Sequence, residues 1–457
     1  MFRKFLIVCF VFLVTVSCGA QPYRRSVEPS APPSSPWSQD GGETPLPASP
    51  AVGRTSVDKT RNLPQTSLAD ILGQPQGPAP AVPTEPGVVG LLLPLSGRFS
   101  GIGTQVRAAV EMAFDERGAK TRLVVLDTEG TEEGARAAVD ALLDEHGAIA
   151  ALGPVGAVES QVAAEAACER GLPLLPLSRG FPDGVCREYA VRALSSVRDE
   201  GVAAGVWAIA ELGVRRVAVL RPENNYGDVL EAGFVDAVER LGGLVVNRVR
   251  YEPGTQDYLP VLESLLGRRL PTAKGIPADE VGFELLFVAD TAKAARRVLP
   301  YLKYARVPLR RDPSEPGLQI LGPGSWNSTK IIDPSEQITE NVVFVSAFDA
   351  DPGQPLVRQF QEQFEVRHGL EATPYQAECY DAAALLFDVI DEGQHETREG
   401  LRDGLWHAGN RMGVTGVWTL REGGEVRRSL HVLTVDGDGI RARRSEEEER
   451  TLRLPSP

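Results

Sequence analysis

Seven nearly uninterrupted apolar residues, VVGLLLP at 88–94, constrain this chain more than any other stretch. The run is too short to cross a bilayer and is bounded by turn residues, so it predicts a strand buried on both faces, as in a parallel sheet. A loop holding Ser96, Gly97, Gly101 and Gly103 follows. Then Val106, Val110, Ala113 and Phe114 recur at helical spacing, with Arg107, Glu111 and Asp115 on another face. The unit is therefore a strand, a loosened turn and a helix whose N-terminus lies beyond the strand's end. In open parallel sheets that is where ligands bind.

The same alternation continues along the chain. Strands are expected at 122–127, 148–152 and 172–177, with helices at 132–145 and 158–170 between them. After an irregular crossing near 191–196 the pattern restarts. It gives a helix at 201–212, a strand at 216–220, a turn at 224–227 and a helix at 229–241. A strand at 244–251, a helix at 258–266, a strand at 284–289 and a helix at 293–303 follow. The remainder predicts strands at 318–321 and 342–346 and helices at 356–367, 378–390 and 398–407. It ends in an antiparallel hairpin joining 417–420 to 430–435. Strands alternating with helices mean right-handed βαβ units on parallel sheets, an α/β fold. The ordered part, 88–441, exceeds what one hydrophobic core usually serves, so two lobes are expected.

The ends of the chain have a different character. Residues 1–18 carry a basic start, Arg3 and Lys4, then an apolar run to Val16 that ends at a small residue before Cys18. This predicts a secretory signal. Thr15-Val16-Ser17-Cys18 resembles a bacterial lipoprotein cleavage box, with Thr15 where an aliphatic residue is usual. That makes Cys18 the lipidation site; ordinary cleavage near Ala20 is the alternative. Residues 19–87 hold 14 of the 35 prolines and few large apolar side chains, too little to offset the entropy of ordering. This is read as a disordered tether, about 45 Å across as a coil and about 200 Å as polyproline II. Residues 442–457, with their run of glutamates, read as a charged, solvated tail. The net charge is −14 with no basic patch, which argues against nucleic acid as a partner.

Three cysteines remain in the domain. In the oxidising compartment implied by export, a disulfide between Cys168 and Cys186 is expected, with two separate buried thiols as the alternative. Closing that loop contributes about 3 kcal/mol in the chain-entropy treatment. Cys379 reads as core. None of the five histidines stands at metal-ligand spacing, and neither a G-x-S-x-G elbow nor a phosphate-binding G-x-x-x-x-G-K-[ST] occurs. Gly101 and Gly103 open a helix, and Asp127 ends the next strand, as in dinucleotide sites. However, the third glycine position is Val106, and Gly101 lies seven positions beyond the end of the strand at Pro94. No catalytic residue, metal or cofactor is therefore expected, and the chain does not read as an enzyme.

Several stretches together resemble the type 1 periplasmic binding protein family, in its branched-chain amino-acid-binding (leucine-binding) branch. They are GLLLPLSG at 90–97, the Gly153-Pro154 turn, VAVLRPENNYGDVLEAGF at 217–234, FVADTAKAA at 287–295 and YDAAALLF at 380–387. The resemblance implies two doubly wound parallel-sheet lobes joined by three hinge crossings, with a ligand closing the cleft between them. It assigns about 88–193 plus 319–395 to lobe 1 and about 194–318 plus 396–441 to lobe 2.

The family's ligand positions carry over one at a time. Its carboxylate-binding serine after the third strand corresponds to Ala157, beside Gly156. Its small-residue turn ending in threonine corresponds to Ser178-Arg179-Gly180, so both hydroxyl anchors are changed. Arg179 becomes either a carboxylate ligand or a salt bridge between lobes. Tyr226 matches the aromatic wall of the second lobe and is otherwise a packing residue in its turn. Asp290 falls near the acid that pairs the ligand ammonium and is otherwise a helix N-cap. Ser96 is a ligand hydroxyl or a turn residue, and Trp326 a stacking residue at the cleft edge or a hinge plug.

Two functions follow as expectations. One is a lipid-anchored solute-binding protein on the periplasmic side of a bacterial membrane. It would capture an amino acid or similar small polar ligand for the permease of an ABC importer. The other follows from a resemblance to the C-terminal domain of lipoprotein activators of penicillin-binding proteins. In that reading the chain is a ligand-poor regulator whose partner is a cell-wall synthase.

Overall fold

The computed structural model describes residues 87–443, apart from 182–184, 187, 271–274, 313, 333–337, 351–352, 394–396, 422–424, 429 and 438. The expected signal segment with Cys18, the tether up to residue 86 and the tail from 444 lie outside the described residues.

The chain opens with β1 (Gly87–Leu93), α1 (Ser100–Arg117), β2 (Thr121–Asp127), α2 (Glu132–Asp144), β3 (Ala150–Leu152), α3 (Ala157–Arg170) and β4 (Leu174–Leu175). These strands form one parallel sheet in the order β2-β1-β3-β4. The apolar run sits at its centre because both of its faces are needed. Val89, Leu91 and Leu93 enter one core, while Val88 and Leu92 enter the core on the other side. Burying each such leucine contributes roughly 1.5–3 kcal/mol. Gly90 is required by close packing: a Cβ there would lie 2.1 Å from Leu142 of α2.

The next elements are α4 (Val197–Val206), β5 (Arg216–Pro222), α5 (Asn225–Arg240), β6 (Leu244–Tyr251), α6 (Leu259–Leu266), β7 (Leu285–Val288), α7 (Ala292–Tyr304), β8 (Gln319–Gly322) and β9 (Val343–Ser346). After them come α8 (Pro355–His368), α9 (Pro374–Asp391), α10 (Arg398–Trp406), β10 (Asn410–Gly413), β11 (Gly416–Arg421), β12 (Glu425–Arg428), β13 (His431–Asp436) and β14 (Gly439–Ala442). A seven-stranded sheet runs β14-β13-β9-β8-β7-β5-β6. It is parallel from β9 to β6, with β13 antiparallel to β9 and β14 antiparallel to β13. Helix α4 begins at Val197, earlier than its apolar spacing suggests. Ser196 and Asp199 form a capping box that satisfies the first turn.

The fold is the expected α/β pair of parallel-sheet lobes, and among the described residues the chain passes between them near 194–196, near 347–349 and between β12 and β13. The division of the chain differs from expectation in two places. Strands β8 and β9 belong to the seven-stranded sheet, so 319–346 lies in lobe 2 rather than lobe 1. Conversely, Leu401 and Leu405 of α10, with Val414, Trp418 and Leu420, pack into the lobe 1 core, so 398–428 lies in lobe 1. A four-residue buried strand has the same sequence character in either sheet, so its pattern names no lobe. The expected hairpin is also corrected. β11 pairs with β10 and β12 in a separate antiparallel sheet, and β13 pairs with β9 and β14.

Cys168 and Cys186 form a disulfide, with Cα atoms 5.8 Å apart, that ties the end of α3 to the segment before the first crossing. Cys379 is a free, buried thiol in α9.

Candidate functional site

The C-terminal ends of the parallel strands and the N-terminal ends of the following helices face one another across the lobes, enclosing a cavity of about 980 Å³. Lobe 1 contributes Phe99 and Ile102 from the start of α1 and Val155, Gly156, Ala157 and Glu159 from the β3–α3 turn. It also contributes Ser178 to Phe181 after β4, Arg192, and Tyr375 at the start of α9. Lobe 2 contributes Ser196, Val197 and Arg198 from the start of α4, and Asn225, Tyr226, Asp228, Val229 and Ala232 from α5. Asn224 caps α5 by accepting from Gly227 N at 2.9 Å, which fixes Tyr226 in the first turn facing the cleft.

Arg179 anchors the site. Its Nη1 donates to Glu200 Oε1 at 2.8 Å, and its Nη2 pairs with Glu378. Glu200 lies on α4 of lobe 2 and also accepts from Gly324 N at 3.0 Å; Glu378 lies on α9 of lobe 1 and accepts from Ser195 N at 3.1 Å. Burial works against the Arg179 charge, but the fields of Glu378 and Glu200 outweigh it and raise its pKa. Burial also works against the Glu378 charge, and Arg179 with Arg428 holds that carboxyl below its ordinary range. For Glu200 burial wins over the attraction of Arg179, and its pKa is raised. Arg428, 1% exposed, continues the network by donating to Ala193 O at 3.1 Å and facing Asp381 at 3.7 Å. One polar network therefore touches the first and third crossings and both walls of the cleft.

The other charged groups divide clearly. Asp228 pairs with Arg221 at 2.6 Å and Arg198 with Asp236 at 2.9 Å. Arg192 donates to Phe181 O at 2.6 Å. Glu159, 7% exposed, accepts from Thr128 Oγ1 at 3.1 Å, and burial pushes its carboxyl above the ordinary range. Tyr226 donates to Ser325 Oγ at 3.1 Å; burial and then the Glu200 field raise its pKa, so its hydroxyl stays neutral.

Of the residues singled out in the sequence, Gly156, Ala157, Ser178, Arg179 and Tyr226 line this cavity. Three do not. Ser96 is exposed in the turn after β1, where its backbone N–H donates to Asp127 Oδ1 at 3.3 Å. Asp290 lines a separate cavity of about 220 Å³ in lobe 2 and bonds the Tyr251 hydroxyl; the N-cap of α7 is Thr291. Trp326 is fully buried in the lobe 2 core, its indole N–H donating to Asp290 O at 2.7 Å, so it neither stacks at the cleft nor plugs the hinge. Sequence reasoning missed Glu159, Phe181, Arg192, Glu200, Tyr375 and Glu378. Glu378 carried a usable signal as one of two acids, with Asp381, flanking Cys379 and Tyr380 ahead of the apolar run 382–387 of α9. Among the described residues, no group of three or more His, Cys, Asp or Glu is arranged to hold a metal ion.

Residues 87–268 match the family model described as periplasmic binding protein. An uncharacterized protein of Methanocaldococcus jannaschii is 22% identical over 317 residues, 64% of this chain and 70% of its own. Among solved structures, the fold resembles a protein from Rhodospirillum rubrum described as a candidate branched-chain amino acid ABC transporter. Its TM-score is 0.67 and its identity 24%, covering 78% of this chain and 99% of that one. It also resembles a leucine-binding protein from Thermotoga maritima, with TM-score 0.60 and 21% identity over 79% of this chain and 99% of that one. The family model thus matches the first lobe and the start of the second, and the two-lobe fold is that of these solved binding proteins over nearly their full length.

Proposed function

We propose that this protein is an extracytoplasmic solute-binding protein that captures an amino acid or similar small polar ligand between its lobes for an ABC importer, held at the membrane through Cys18. The observation that carries this reading is the cavity of about 980 Å³ bounded by helix N-termini from both lobes, a volume suited to a small molecule. The transport roles in the descriptions of the similar structures support the same direction. The test is a thermal-shift screen of the purified protein against amino acids, short peptides and sugars. A ligand at 100 times its Kd adds about 2.7 kcal/mol of stability, and the absence of any shift would remove the transport reading.

One observation favours the second reading, a regulator of a cell-wall synthase. The cleft lacks both hydroxyl anchors, with Ala157 at one and Arg179 at the other, and Arg179 is already engaged by Glu200 and Glu378. Capture of a penicillin-binding protein by a protein that binds no small molecule is the outcome that reading requires.

A further inference from the structure

The cavity lining carries three arginines, Arg179, Arg192 and Arg198, and two acids, Glu159 and Asp228; Arg179 pairs with Glu200 and Glu378, Arg198 with Asp236 and Asp228 with Arg221. Behind its floor, two partly buried arginines, Arg179 and Arg428, face three buried acids, Glu200, Glu378 and Asp381. Glu159 adds a fourth acid, on the cavity wall itself and 7% exposed. Among the described residues its hydrogen-bond partner is the neutral Thr128 hydroxyl, and burial outweighs that bond in raising its pKa. A carboxylate held out of water without a counter-charge is costly unless a proton or a cation compensates it.

The position of Glu159 bears on which ligand group can enter. It stands in the first turn of α3, whose N-cap, Gly156, makes no side-chain cap hydrogen bond. A Cβ built on Gly156 would lie 2.4 Å from Glu159 Oε1, so this acid folds over the helix start. That is the place where backbone N–H groups and the helix dipole would otherwise attract an anion. Four aromatic side chains, Phe99, Phe181, Tyr226 and Tyr375, line the same cavity, and aromatic surfaces accept organic cations.

We propose that the cleft takes a small organic cation, whose primary ammonium or guanidinium group pairs with Glu159, and not a ligand read through a free carboxylate. This rests on the cleft being a ligand site, and it names the chemistry of that ligand.

The test is calorimetric titration of the purified full chain with putrescine and agmatine, and in parallel with L-leucine and benzoate. The expected result is binding of at least one cation, weakened about tenfold to a hundredfold in Glu159→Gln. The same variant, without any probe, should melt no lower than the parent, because a neutral amide keeps the Thr128 contact and removes the unpaired charge. Equal cation binding by Glu159→Gln overturns the proposal. Preference for leucine or benzoate overturns it while leaving the cleft a ligand site. Silence from all four probes counts against the cation, and silence in the thermal-shift screen as well removes the binder reading with it.

Discussion

Arg179 and Glu200 join the two lobes through one partly buried ion pair, Nη1 to Oε1 at 2.8 Å, with Glu378 holding the other end of the same guanidinium. Removing the cation leaves two acids, 2% and 0% exposed, with the field of Arg428 on Glu378 as the remaining cationic compensation. Arg179→Ala is therefore expected to cost about 3–5 kcal/mol. Arg179→Lys should recover only part of that, because a point charge cannot serve two separated carboxylates as a planar fork does. Urea unfolding midpoints measure both; a loss under about 1 kcal/mol in Arg179→Ala would show that the lobes do not depend on the pair.

The same cluster sets an acid limit. The folded-state pKa of Glu378 lies below its ordinary value of 4.5. Between those two values the unfolded chain binds more protons than the folded one, so stability rises with pH there. The contribution of Glu378 is thus complete above about pH 4.5 and is lost as pH falls through the folded value. Glu200, with its raised pKa, acts in the opposite sense. Melting temperature against pH should fall more steeply below pH 4.5 in the parent than in Glu378→Gln. Parallel curves would contradict the assignment.

Gly101 and Gly103 look alike in sequence and should behave oppositely. A Cβ at Gly101 meets nothing within 4 Å, so Gly101→Ala should stabilise α1 by about 0.5–1 kcal/mol. A Cβ at Gly103 would lie 2.1 Å from Pro94 O, a backbone atom that cannot step aside, so Gly103→Ala should destabilise and separate α1 from the end of β1. Thermal unfolding of the two variants checks the contrast.

Trp326 provides a control for the cleft. It is fully buried and lies outside the cavity lining, so Trp326→Ala should cost about 3–5 kcal/mol through the void it leaves. Any ligand that binds the parent should bind this variant with the same affinity at a temperature where both are folded. A change in affinity would place Trp326 in the binding site after all.

How far the sequence could be read depended on the range of the forces involved. The strand at β1, the helices after it and the α/β class were legible because alternating burial is a local pattern, and 88–94 can satisfy it in only one way. The assignment of β8 and of 398–428 to lobes was not legible, because all four residues of β8 are buried in a manner either sheet would require. For the site, Gly156, Ala157, Ser178, Arg179 and Tyr226 stood in loops after strands, where the parallel-sheet rule places ligands. Asp290 and Trp326 also follow strands, yet the side chain of Trp326 turns into its own lobe and Asp290 bonds Tyr251. Nothing in sequence spacing reports that turn. Glu200 and Glu378 were missed because they come to Arg179 from 21 and 199 residues away.

The crossings carry a consequence for how the protein is made. The lobe 1 core needs Trp418 and Leu420, and the lobe 2 sheet needs β13 and β14 along the edge of β9. Neither lobe is a continuous piece of chain, so neither can finish while the C-terminal fifth is still being synthesised. A chain cut just before His431 would keep the lobe 1 elements but leave β9 as a bare, wholly buried-type strand edge, the kind of surface on which chains stick to one another. Strands β13 and β14 thus cover an edge that would otherwise invite aggregation, as well as completing the lobe 2 sheet.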